Sequence, residues 1–122
     1  MITDKEFSVL YSAARSYQIE DYDKFMSEWS TSSIFCSDPD IDEPDWEYIE
    51  MTLKSIFEVA HMDVGEILQR SGLRLVDFSR RYSIPLRTVS HWTSKKEKDR
   101  RDCPQWVVLL LAELTGVFKR PY

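Results

Sequence analysis

With 43% hydrophobic residues, among them four Trp, six Tyr and six Phe, a chain of 122 residues can bury one core, or a small domain with an extension. Three Gly and five Pro favour helices with few turns, and no run approaches the roughly 20 apolar residues that a membrane span requires. The net charge of −5 is unevenly spread: residues 1–60 hold four Lys/Arg against fourteen Asp/Glu, a net −10, and residues 61–122 hold twelve against seven, a net +5. An acidic half joined to a basic half implies two tasks, or one half shielding the other. Two cysteines 67 positions apart, Cys36 and Cys103, make no disulfide framework. The opening MITDKEF has neither the basic region nor the apolar run of a signal peptide. A reduced, cytoplasmic protein is expected.

Thr3-Asp4-Lys5-Glu6 is a capping-box pattern, with Ile2 and Phe7 placed to staple across it. Phe7, Leu10, Tyr11 and Ala14 share one face of a helix predicted over 4–16. Tyr22, Phe25, Met26 and Trp29 repeat that spacing over 21–30, so the two helices form a hairpin with an aromatic core. Ser30 to Asp45 is serine-, proline- and acid-rich and reads as a loop, with Ile34, Phe35 and Ile41 as pins. It is no calcium loop, because Pro39 and Pro44 break the alternation and no Gly is present. A third helix over 46–61 buries Ile49, Leu53, Ile56 and Ala60.

Asp63 caps the next helix, Glu66 completes its box, Met62 and Ile67 staple it, and Gly72 stops it after about Arg70. Leu73 to Trp92 then divides into two short helices. Leu75, Phe78 and Tyr82 line the first, and Leu86, Val89 and Trp92 the second. Tyr-Ser-Ile-Pro turns the chain between them, with Pro85 in the first turn of the second helix. That is the layout of a helix-turn-helix. A charged loop, TSKKEKDRRD, follows, in which Lys95, Lys96, Lys98, Arg100 and Arg101 are placed to track phosphates. Pro104 to Leu114 forms a last helix that is apolar on most sides, with Trp106, Val107, Leu110 and Leu114 available for a dimer contact.

From Asp63 to Gly116, 54 of the 122 residues, the chain resembles the lambda-repressor/Cro-like helix-turn-helix family, most of all its small bacterial and phage-type members. The stretches SGLRLVDFSRRYSIPLRTVSHW and CPQWVVLLLAEL carry the resemblance. It implies an all-α fold: a lambda-repressor-like helix-turn-helix domain over 63–122, preceded by an acidic helical extension over 1–62. The family domain has five helices and four fall after residue 62, so helix 46–61 is expected to pack into it. Leu86, Arg87, Thr88, Ser90 and His91 fall in the family's readout region, with Arg87 able to fork onto guanine. Many members place Ser or Thr, then Gln, where this chain has Arg74 and Leu75; Arg74 can still hold a phosphate. Ser83 stands where the family's turn usually carries Gly.

No phosphate-binding Gly-rich loop, nucleophile elbow or HExxH pattern occurs, and His61, His91, Cys36 and Cys103 are scattered, so neither catalysis nor a metal or cofactor is expected. Two functions compete. One is a sequence-specific, dimeric regulator that binds double-stranded DNA. The other is a protein-binding module whose acidic half grasps a basic partner, as an anti-CRISPR-like phage inhibitor would.

Overall fold

The computed structural model describes residues 1–36, 43–96, 98 and 101–122. Among these the protein is all-α, with seven α-helices and no strand. The chain divides into two compact units, Met1–His61 with Arg120–Tyr122, and Met62–Lys119.

In the first unit, α1 (Asp4–Ser16) begins with the capping box complete. Thr3 Oγ1 accepts from Glu6 N at 3.1 Å, and Glu6 Oε1 accepts from Thr3 N at 2.9 Å. Ile2 and Phe7, the two staple positions, are both buried. A 3-10 turn over Ile19–Asp21 leads into α2 (Tyr22–Trp29), and α3 (Trp46–Ala60) is capped by Asp45 Oδ1, which accepts from Tyr48 N at 3.1 Å. Both α1 and α2 pack on α3, burying Phe7, Leu10, Ala14 and Phe25 with Ile49, Leu53, Ile56 and Phe57. The aromatic core is continuous: Phe25 lies 5.2 Å from Phe57 and 5.4 Å from Tyr17, and Tyr22 meets Phe57 edge-on at 5.2 Å, centroid to centroid. His61 ends α3, packs at a tilt against Phe57 and donates from Nε2 to the Ala14 carbonyl at 2.9 Å.

The last three residues belong to this unit. Arg120 lies over the Phe7 ring at 4.6 Å, Tyr122 hydrogen-bonds Asp4, and the Tyr48 hydroxyl donates to the Pro121 carbonyl at 3.0 Å. Ile34 and Phe35 are half-buried, whereas Ile41, the third expected pin of the acidic loop, lies outside the described residues.

The second unit contains α4 (Val64–Ser71), α5 (Leu75–Tyr82), α6 (Leu86–Thr93) and α7 (Gln105–Leu114). Asp63 Oδ1 accepts from Glu66 N at 2.8 Å, but Glu66 does not close the expected box: its carboxylate turns to Arg70 one helical turn on, at 3.0 Å. Gly72 ends α4 at φ +73°, a left-handed conformation that costs glycine little. Val64, Ile67, Phe78, Val89, Val108, Leu111, Ala112 and Phe118 form the core.

Candidate nucleic-acid interface

Three residues, Ser83 to Pro85, join α5 to α6. Ser83 adopts φ +52°, ψ +39°, the left-handed backbone that an L residue enters at a cost. Ser79 holds the turn in place. Its carbonyl accepts from Ile84 N at 3.0 Å while its hydroxyl donates to the Ile84 carbonyl at 2.5 Å. Pro85 is the residue before α6 rather than inside its first turn, with ψ +132°, and its carbonyl accepts from Thr88 N and Val89 N. No side chain caps α6, so its N-terminal end stays open.

Each expected contact residue has a definite place. Val89 is fully buried and Trp92 half-buried, so these two anchor α6. Leu86, at the start of α6, does not join them: it is 46% exposed and belongs to the solvent side with Arg87 and Ser90. Thr88 and His91 are half-buried. No carboxylate among the described residues forms an ion pair with Arg87.

Arg74 is differently placed. It precedes α5 and gives its Nε–H to Asp77 Oδ2 at 2.9 Å. That bond holds the Asp77 carboxyl below its ordinary range and raises the guanidinium. A phosphate at Arg74 therefore competes with a neighbouring carboxylate.

Past Thr93 the chain folds back. The Ser94 hydroxyl accepts from Lys96 N at 3.1 Å, and Arg101 N donates to the His91 carbonyl at 3.1 Å, returning the loop to the end of α6. Ser90, His91, Ser94, Lys95 and Lys96 line one open depression of about 440 Å³. Four of these five were expected as contacts. Ser94 was not, and only the local turn reveals it. The carbonyl end of α6 is the negative end of its dipole, so attraction for an anion here comes from the two exposed ammonium groups. Lys98 and Arg101 lie in the same loop; Arg100 falls outside the described residues.

Other chemistry is sparse. Among the described residues no three His, Cys, Asp or Glu side chains could share a metal ion, and no helix is long and apolar enough to cross a membrane. Burial pushes the Cys103 thiol up to about 11, which leaves it protonated near neutral pH. No protein-family model, no curated protein and no solved structure matches the chain.

Proposed function

We propose that the protein binds duplex DNA through α6 and the loop after it, as a sequence-specific regulator of bacterial or phage type on a lambda-repressor-like fold. One observation carries this reading. The exposed side of α6 runs from Leu86 and Arg87 at its open N-terminal end to the depression of Ser90, His91, Ser94, Lys95 and Lys96. The unit that bears it, residues 62–119, holds eleven Lys/Arg against seven Asp/Glu, a net +4. In the major groove Arg87 would give two hydrogen bonds to guanine O6 and N7, and Leu86 would meet a thymine methyl. Lys95 and Lys96 would neutralise phosphates and release counterions, which makes affinity fall with salt. A single helix buries little surface, so a homodimer reading two half-sites about one helical turn apart is part of the proposal.

Fluorescence anisotropy with random-sequence duplexes across a salt series tests it directly, followed by selection of preferred sites. Binding at low salt that weakens steeply as salt rises is the expected result; no binding at about 50 mM salt sinks the reading. Arg87→Ala should cost roughly 1–3 kcal/mol on preferred sites and little on others.

A second reading has its own support in the first unit, where five Lys/Arg face fourteen Asp/Glu, a net −9. The Tyr22 hydroxyl is raised by burial and then by Glu50, Glu58 and Asp23, which marks a negative field beside α3. Such a surface suits a basic protein partner, as in an anti-CRISPR-like inhibitor. Replacing Glu47 and Glu50 by Gln should abolish function on this reading and leave DNA binding intact.

A further inference from the structure

The outward side of α7 carries three large apolar groups. Trp106, Leu110 and Leu114 recur every four residues and are 66, 45 and 64% exposed. Val108, Leu111 and Ala112 are the buried residues of the same helix. At about 100° per residue, the exposed three fall within an arc of about 80° whose centre is about 150° from that of the buried three. A surface helix ordinarily turns polar groups to that side, yet only Gln105 and Glu113 on α7 are polar.

We propose that this stripe is a homodimer interface, covered by α7 of a second copy of the chain running antiparallel across a two-fold axis. Its even spacing suits a second copy. The three side chains are uncharged, so nothing in the stripe selects a partner of either sign. The pattern is self-complementary: Leu110 meets the partner's Leu110 at the axis, and Trp106 packs over the partner's Leu114, once on each side. Side chains of this size and exposure present roughly 300–400 Å² per copy. Pairing them buries about 600–800 Å², and the half-exposed Val107 and Leu109 extend the contact towards the roughly 1,200 Å² at the lower edge of specific interfaces. That area fits a weak, transient dimer.

This inference stands on α7 and does not rest on DNA binding. Both copies carry the same net charge of −5, so salt screens their repulsion and tightens the dimer. The same salt loosens DNA. Failure of one reading is therefore distinguishable from failure of the other.

Sedimentation equilibrium over about 1–500 µM protein, without DNA, makes the test. The mass should rise with concentration from 14.5 kDa towards twice that value, and at lower concentration in higher salt. Leu110→Glu puts two carboxylates at the axis and should hold the protein monomeric throughout, with its circular dichroism unchanged, and its melting unchanged at concentrations where the wild type is monomeric, because Leu110 faces outward. As a second route, Leu110→Cys in a Cys36→Ser, Cys103→Ser background should oxidise to a covalent dimer much faster than Gln105→Cys in that background. A wild-type protein that stays monomeric overturns the proposal. So does a dimer that survives Leu110→Glu, or cysteine cross-linking that is no faster at position 110 than at 105.

Discussion

The two units use similar numbers of helices in opposite ways. The first is acidic and built from longer helices: α1 and α3 have side-chain caps, and Phe7, Phe25 and Phe57 are all buried, although Ile19, Trp46 and Met51 are exposed. The second is basic and built from shorter helices. Only α4 has a side-chain cap, and Leu86, Trp106, Leu110 and Leu114 remain in solvent. Open helix ends and outward apolar groups cost stability, and they are also what a binding surface requires. The difference lies in charge and capping: the second unit is the basic one, and three of its four helices begin without a side-chain cap.

The largest test of that contrast is core truncation. Phe25→Ala and Phe78→Ala each empty a fully buried site and should cost about 3–5 kcal/mol in urea unfolding. Hydrogen exchange should localise the loss, to α1–α3 in the first case and α4–α7 in the second. Equal loss everywhere would make the chain one cooperative body and break the comparison. Next in size is the double change Lys95→Ala, Lys96→Ala. It should lower the slope of log affinity against log salt by about 2 on any duplex, whereas replacing Glu47 and Glu50 by Gln should not lower it at all.

Smaller effects distinguish how each unit is fastened. Thr3→Ala removes the cap of α1 and should cost about 1 kcal/mol. Ser79→Ala removes one arm of the clasp on Ile84 and should cost a similar amount, while Ser83→Gly should recover up to about 1 kcal/mol by relieving the left-handed backbone. Thermal or urea denaturation reads all three. Smallest is Asp77→Asn, which frees Arg74 and should tighten binding to all duplexes, seen by anisotropy. The Asp77 carboxyl is held below its ordinary value, so its contribution to stability is present above that value and lost as pH falls through the depressed one. The stability difference between the wild type and Asp77→Asn should accordingly fade below about pH 4.

Much of this architecture is legible in the sequence because it is local. Thr3 with Glu6, Asp63 and Gly72 mark helix ends by side-chain and backbone chemistry that acts within four residues. The apolar spacing of Phe7, Leu10 and Ala14 does the same for a buried face. Other features follow from contacts that spacing cannot foretell. Leu86 fits an apolar stripe with Val89 and Trp92, but a residue at the first position of α6 is not covered by the core, and it is exposed. Glu66 fits a capping box, yet Arg70 four residues on is a competing partner of opposite charge. The return of Arg120–Tyr122 to α1 and α3 has no local signature whatever. As for the interface, Arg87, Lys95 and Lys96 are readable as charge, whereas Ser94 enters only because its hydroxyl folds the loop beside them.

That return of the chain has a consequence for synthesis. The Tyr48 hydroxyl reaches Pro121 across 73 residues, and the whole second unit is strung between them. Along the chain, the second unit is an insertion within the first. On the ribosome, α1 to α3 emerge early but cannot acquire the Arg120 and Tyr122 contacts until the basic unit has been made. All residues of the basic unit are thus synthesised before Arg120–Tyr122 can join the acidic one.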